Sequence, residues 1–235
     1  MQTAAAKIAT ADELALLPDA VQPERDFSDP ANFINRELSW LEFNRRVLEE
    51  AQDPTQPLME RVKFMTIFSN NLDEFFEIRV AGIKQQIESE TSEIGPDGMS
   101  PTETFNAIQR LVHELVGTQY DLWNKELVPA LAKNNIRLHD VAQLTGKRAA
   151  WAKRYFQEEV FPMLTPLAVD ASHPFPQLLN KSHNLLVRAR AHQDGETLLA
   201  IVQVPRVVPR LILMPRGKGA DEAWDYIYLA SLIKH

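Results

Sequence analysis

The sequence contains no cysteine. This absence excludes disulfides, thiolate metal sites and a cysteine nucleophile from the 235 residues. The sequence also has no apolar run near the about 20 residues that a membrane helix needs, and its N-terminus lacks the pattern of a signal peptide. These absences predict a cytoplasmic protein without a transmembrane segment, for which membrane association within larger assemblies stays a second hypothesis.

The usual motifs of catalytic and cofactor sites are missing as well. The sequence contains no GxxxxGK[ST], no GxGxxG and no HExxH. Its acidic pairs, such as Glu158 and Glu159, are neighbours in sequence, and neighbouring helical side chains diverge by about 100°. The six histidines show no metal-ligand spacing; they are His113, His139, His173, His183, His192 and His235. We therefore predict no catalytic residue and no metal ligand in this chain.

Charge is unevenly distributed along the chain. The formal net charge of −7 argues against a general nucleic-acid binder. Residues 171–220 nevertheless carry only two acidic residues against seven basic ones, which are Lys181, Arg188, Arg190, Arg206, Arg210, Arg216 and Lys218. This basic region is either a solvated sheet face or a surface for a polyanion, and the sequence leaves both interpretations open.

The first half of the chain has helical periodicity. Residues 1–32 show no clear period and predict a flexible leader, whereas residues 33–132 predict an antiparallel bundle of four helices. Capping boxes predict helix starts at Ser39 and Ser100, each followed by a glutamate three residues later. Pro57 predicts the start of another helix, and Asn71 predicts a further N-cap.

The pattern changes after residue 132. Alternating apolar residues predict strands at residues 136–138, 183–191, 197–204, 210–214 and 226–229, with a turn at 193–195. A helix is predicted from Thr145 to Val160, and Ser231 resembles a helix start without a following end. The fold class is therefore predicted as α+β, with a helical bundle followed by an α+β domain around an antiparallel sheet. We expect this second domain, residues 133–235, to be incomplete at its C-terminus.

The stretch TIFSNNLDEFFEIRV, residues 66–80, interrupts two apolar runs with amides and acids. Asparagine and aspartate favour helix caps over helix interiors, so the stretch predicts a helix break and restart. One capping residue suffices, however, and the sequence offers Asn70, Asn71 and Asp73. The surplus amide is either a second capping group or a contact for a ligand at the helix N-terminus.

Three stretches resemble long-chain polyphosphate kinases. INRELSWLEFNRRVLEEAQDPTQPLMERVKFMTIFSNNLDEFFEIRVAGIKQQ (34–86) is similar to the N-terminal domain of that family. LTPLAVDASHPFP (164–176) and VQVPRVVPRLILMP (202–215) are similar to its second domain, the head domain. The motifs ELSWLEFN and SNNLDEF carry most of the specificity, and the resemblance covers about residues 33–230.

The resemblance implies an enzyme that reversibly transfers the terminal phosphate of ATP to inorganic polyphosphate, through a phosphohistidine and with magnesium. It also implies a homo-oligomer, in which the head domain joins the subunit contacts. The asparagine that matches Asn71 contacts the nucleotide near its adenine end in that family. Phe64 and Phe68 are predicted to line the same side, although both are equally good core residues.

One departure from the family is large. Its phosphorylated histidine and magnesium-binding groups lie in C-terminal domains similar to phospholipase D, and no histidine here matches those positions. We therefore expect the 235-residue chain to be inactive alone, contributing to the nucleotide pocket and to assembly, with magnesium bound outside it. The alternative is a noncatalytic module for polyphosphate binding or oligomerisation.

Overall fold

The computed structural model describes residues 26–90, 94–170, 172, 175–190, 197–216 and 223–235. The described α-helices are α1 (Arg36–Gln52), α2 (Leu58–Phe75), α3 (Ala81–Glu88), α4 (Pro101–Leu122), α5 (Val128–Lys133), α6 (Gly146–Tyr155) and α7 (Leu229–Lys234). The described strands are β1 (Ile136–His139), β2 (Pro166–Val169), β3 (Asn184–Arg190), β4 (Thr197–Gln203), β5 (Leu211–Leu213) and β6 (Trp224–Tyr228). Five of the described helices precede all the described strands, α6 lies between β1 and β2, and α7 follows β6. This segregation of helices from strands confirms the predicted α+β class.

The strands form two three-stranded sheets. One has the order β2-β4-β3 and is antiparallel throughout, as predicted. The other has the order β1-β6-β5, in which β5 pairs antiparallel with β6 and β1 pairs parallel with β6. The parallel pair was not predicted, because short strands far apart in sequence carry no local signal of their partner.

The first helix begins earlier than its capping box predicts. Ser39 lies inside α1, and the N-cap is Asn35, whose Oδ1 accepts from the backbone N–H groups of Glu37 and Leu38 at 3.1 and 3.0 Å. The Asn35 Nδ2 group also donates to Asp97 Oδ2 at 2.6 Å. Both candidate caps satisfy the local rule, and the long-range bond favours the asparagine.

The predicted break at Asn70 and Asn71 is wrong. The chain is helical from α2 through a π-helical turn, Phe76–Val80, into α3 without interruption. The cause is packing, since Phe68, Leu72 and Phe75 continue one buried stripe across the polar residues. Consequently, the segment predicted as two helices is one, and the predicted bundle of four helices has three long helical segments within the described part of residues 33–132.

Two later helix starts agree with the sequence. Ser100 precedes α4, and the backbone N–H of Ser100 donates to Glu103 Oε2 at 2.8 Å while the Glu103 N–H donates to Ser100 Oγ at 3.3 Å. These reciprocal bonds are a capping box. Thr145 is the N-cap residue of α6, although its side chain makes no capping bond.

The described residues divide into two compact units. The first comprises those up to Glu50 together with Phe64–Val116, and the second comprises those of Ala51–Lys63 and Gly117–His235. The first unit buries apolar residues of its helices, including Leu41, Leu48, Phe68, Leu72, Phe75, Ile108 and Leu115. The core of the second unit is Val141, Ala152, Val160, Val204, Val208, Ile212, Met214, Ile227, Leu229 and Leu232.

Several sequence predictions lie outside the described residues. They are most of the leader, residues 1–25, the turn at 193–195, and the side chains of His173, His192 and Lys218. The predicted domain boundary between residues 132 and 133 stays a prediction.

Candidate functional site

Helices α1 and α2 lie antiparallel within the first unit. The Trp40 ring on α1 stacks on the Phe75 ring on α2, with centroids 4.7 Å apart and an interplanar angle of 10°. One helical turn further along α1 is Asn44, and one turn back along α2 is Asn71. The two asparagines therefore face each other beside an aromatic stack.

A chain of two hydrogen bonds joins these helices. Asn44 is 0% exposed, and its Nδ2 group donates to the backbone carbonyl of Phe68 at 3.1 Å. Its Oδ1 atom accepts from the Nδ2 group of Asn71 at 3.0 Å. Both ends of the buried amide are thus satisfied, which removes the cost of burying an unpaired polar group.

The residues predicted from the sequence share one face of α2, because positions 64, 68 and 71 are four and three residues apart. Asn71 and Phe64 are partly exposed, whereas Phe68 is 0% exposed. Phe68 packs as a core residue, so its ring can reach a ligand only if the helices move. The predicted nucleotide contacts of Asn71, Phe64 and Phe68 stay predictions.

Sequence reasoning missed Asn44. The available signal was its position, because Leu41 and Leu48, three residues before and four after it, define the buried stripe of α1. A polar residue inside such a stripe breaks the binary pattern and requires a partner. The sequence alone does not show that this partner is Asn71.

The chemistry of the amide pair is recognition. An amide donates and accepts hydrogen bonds without carrying a charge. Phosphoryl transfer instead requires cationic or metal groups that stabilise negative charge on the transferred phosphate. The pair can therefore orient a base or another polar ligand, and it cannot by itself supply the catalytic step.

Exposed aromatic rings border the amide pair. Phe43 lies three residues after Trp40 on α1 and is 47% exposed. Phe76 lies directly after Phe75 and is 39% exposed. The Phe75 and Phe76 rings meet edge to face at 6.0 Å, and the Trp40 and Phe43 rings lie 6.4 Å apart. Such rings offer apolar surface next to the polar amides.

Two cavities in the described part of the chain lie away from the amide pair. In the first unit, a cavity of about 570 Å³ at the start of α1 is lined by Phe33, Ile34 and Ile94 among others. In the second unit, an apolar cavity of about 640 Å³ lies between α6 and α7, lined by Phe156, Leu232 and other residues. None of the predicted site residues lines either cavity.

The second unit contains a network of polar and charged side chains around Asp225. His139 Nε2 lies 2.6 Å from Asp225 Oδ1, and Arg148 donates to Asp225 Oδ2 at 2.7 Å. Nearby, the backbone N–H of Ala142 and the hydroxyl of Ser231 lower the pKa of Asp140. These bonds join α6 to the central strand β6 and α7 to the residue that follows β1.

Two features are absent from the described ranges. Among those residues, no group of three or more histidines and acids could hold a metal ion. The part of the chain that the structure describes therefore offers no such cluster for the magnesium that the resemblance implies. Within the same ranges, no helix is long and apolar enough to cross a membrane.

Two family models match the chain. The polyphosphate kinase N-terminal domain matches residues 33–139, and the polyphosphate kinase middle domain matches residues 147–235. A polyphosphate kinase of Thermosynechococcus vestitus is 44% identical over 227 residues, covering 93% of this chain and 31% of that protein. One of Pseudomonas aeruginosa is 45% identical over 207 residues, covering 87% of this chain and 30% of that protein.

The fold has a counterpart of known structure. The crystal structure of polyphosphate kinase from Porphyromonas gingivalis matches with a TM-score of 0.73 and 31% identity. The match covers 86% of this chain and 29% of the other. The chain thus spans roughly 30% of the length of the relatives that it matches.

Proposed function

The chain belongs to the polyphosphate kinase family, and on this premise we propose that it forms the N-terminal, nucleotide-contacting part of a phosphotransferase. The whole enzyme would reversibly transfer the terminal phosphate of ATP to inorganic polyphosphate. Residues 33–132 would form its N-terminal helical domain and residues 133–235 part of its head domain. We place the enzyme in the cytoplasm, as a homo-oligomer.

The single observation that carries this proposal is the environment of Asn71. Its amide is partly exposed, and its one hydrogen bond within the described chain goes to a buried asparagine. The group is therefore held in place and still accessible. Phe64, two helical turns before Asn71 and also partly exposed, is proposed as an apolar neighbour of the bound nucleotide, and Phe68 as support beneath both.

The catalytic step is assigned to groups outside this chain. Neither the histidines nor the acids of the described residues form a cluster able to hold magnesium. We propose that the phosphorylated histidine and the magnesium-binding groups belong to the C-terminal domains of the family. The isolated chain is then inactive, and turnover above background in a phosphate-transfer assay would contradict this.

Nucleotide titrations test the binding role. ATP binding to the chain is measured by calorimetry for the unchanged sequence, for Asn71→Ala and for Asn70→Ala. Asn70 is the matched control, because it has the same side chain at the adjacent position and is fully outside the amide pair. We expect Asn71→Ala to weaken ATP binding and Asn70→Ala to leave it unchanged; equal effects would refute the proposed contact.

A second candidate function is polyphosphate binding by the basic region. Arg188 and Arg190 are exposed and lie on the same face of β3, an edge strand. Two cations spaced along one strand suit a linear polyanion. This function would be favoured over the first if the chain binds polyphosphate and does not bind ATP. The polyphosphate binding should then persist in Asn71→Ala and disappear in the double variant Arg188→Ala, Arg190→Ala.

A further inference from the structure

We propose that Asn44 is a positioning residue that fixes the amide orientation of Asn71, so that Asn71 turns its carbonyl oxygen outward and selects bases with an exocyclic amino group. Adenine is such a base, whereas guanine and hypoxanthine carry a keto oxygen at the corresponding position. The inference rests on the proposed function, since it takes Asn71 as the contact to the nucleotide.

The orientation begins at a backbone carbonyl. A carbonyl oxygen only accepts hydrogen bonds, and the Phe68 oxygen lies 3.1 Å from one end of the Asn44 amide. The nitrogen of Asn44 must therefore face Phe68, because the reversed amide would set two acceptors against each other. Asn44 is 0% exposed, so water does not offer the reversed amide another partner.

The same reasoning fixes Asn71. With its nitrogen on Phe68, Asn44 turns its Oδ1 atom toward α2, and this oxygen also only accepts. The group of Asn71 that lies 3.0 Å from it must therefore be the Nδ2 donor. The remaining arm of Asn71 is its Oδ1 atom, which makes no hydrogen bond to the described residues and is not among their buried unsatisfied atoms.

This orientation discriminates between bases. An outward carbonyl oxygen accepts from the N6 amino group of adenine, while the second Nδ2 hydrogen of Asn71 remains for a ring nitrogen. This is the two-bond pattern that asparagine makes with adenine in nucleic-acid recognition. A base with a keto oxygen at that position places an acceptor against an acceptor, and the bond is lost.

The alternative is that Asn44 only fills space in the core. Within α2, the Phe68 carbonyl already accepts from the backbone N–H four residues later, as in any α-helix. Removing the Asn44 amide therefore leaves no backbone group of α2 unpaired, and the partly exposed Asn71 amide can turn to water. Asn44→Leu keeps the branch at Cγ and removes both polar atoms, so it is expected to free Asn71 if the core accommodates its larger side chain.

The first test observes Asn71 directly in the chain without ligand. The side-chain amide signals of Asn71 are assigned by nuclear magnetic resonance from their loss in Asn71→Ala, and their proton exchange is measured. We expect one slowly exchanging proton in the unchanged chain and fast exchange of both in Asn44→Leu. Fast exchange of both protons in the unchanged chain would overturn the inference, even if no Asn44 variant folds.

The second test measures base selection. The affinities for ATP and for ITP, which carries hypoxanthine, are compared in the unchanged chain, Asn44→Leu, Asn71→Ala and the double variant. We expect a preference for ATP of about two- to tenfold, the range of one net hydrogen bond. The preference should fall to about one in each variant, and the double variant should equal Asn71→Ala.

Different results would contradict the positioning role of Asn44 and the nucleotide contact of Asn71. If Asn71→Ala removes the preference and Asn44→Leu keeps it, the positioning role is overturned and the nucleotide contact stands. If Asn71→Ala leaves the affinity for ATP unchanged, the proposed contact fails and the base selection fails with it. If Asn44→Leu lowers both affinities equally, Asn44 has only a structural role.

Discussion

Substitutions at the exposed residue Asn70 distinguish a continuous helix from a helix break. The stability difference between the alanine and glycine variants has opposite signs in the two cases. In a helix interior, alanine is more favourable than glycine by about 0.8–1.0 kcal/mol. In a break between two helices, Asn70 would follow a helix end, where glycine is the favoured residue. Because Asn70 is exposed within α2, we expect Asn70→Ala to be more stable than Asn70→Gly by about 1 kcal/mol.

The free energy of unfolding is measured by urea denaturation, followed by circular dichroism at the helical band. For a chain of this size, 1 kcal/mol corresponds to a difference in Tm of about 2–4 °C. The same pair of substitutions at Arg110, exposed in the middle of α4, is the matched control. Equal stability at position 70, or greater stability of the glycine variant, would refute the continuous helix.

Three further changes test packing and capping. Phe68→Ala should lower the free energy of unfolding by about 3–5 kcal/mol in urea denaturation, because Phe68 is fully buried. Arg61→Met should lower it by about 1.5–3 kcal/mol, since it removes the bonds from Arg61 to the Ala51 carbonyl at 2.8 Å and to the Gln52 carbonyl near the end of α1, together with the ion pair to Glu126. The backbone N–H of Ser100, and after it the Ser100 hydroxyl, lower the pKa of Glu103. The stability difference between the unchanged chain and Glu103→Gln should therefore shrink as pH falls below about 4.3.

Each of these results can contradict its reasoning. A loss under about 1 kcal/mol in Phe68→Ala would remove Phe68 from the core and strengthen its predicted ligand role. For Arg61, a variant as stable as the unchanged chain would show that the carbonyl gains nothing from the guanidinium. For Glu103, the direction of the pH dependence follows from its lowered pKa. The charged carboxylate stabilises the folded state above the ordinary pKa, and this stabilisation is lost as the carboxylate binds a proton. A difference independent of pH would exclude that cap.

Local rules predicted the features that depend on a few neighbouring residues. The capping box at Ser100 needs only a hydroxyl and a carboxylate three residues apart, and both bonds form. Strands β3 and β4 of the antiparallel sheet likewise follow from alternation, whereas the third strand, β2, was not predicted. The start of α1 was mispredicted because Asn35 and Ser39 both satisfy the capping rule, and the bond from Asn35 to Asp97 is invisible in the local pattern.

The helix break predicted at the amide stretch was wrong for a related reason. Capping preference describes what a free asparagine does with nearby backbone groups. Asn71 instead bonds to Asn44, which belongs to another helix, so its side chain no longer competes with the helix backbone. The surplus of polar residues includes an amide that bonds to another helix, and its interpretation as a break was wrong. The identity of the partner required the antiparallel pairing of α1 and α2.

A buried amide between two helices needs a reason beyond stability. Replacement of both partners of a buried hydrogen bond by apolar groups of the same shape can be nearly neutral or stabilising. A pair that only held the helices together would therefore have no advantage over apolar packing. The pair has a fixed orientation, however, because the Phe68 carbonyl orients the amide of Asn44 and Asn44 orients the amide of Asn71. A group with one defined orientation at a partly exposed position is what recognition of a base requires, and it is the property that leucine cannot reproduce.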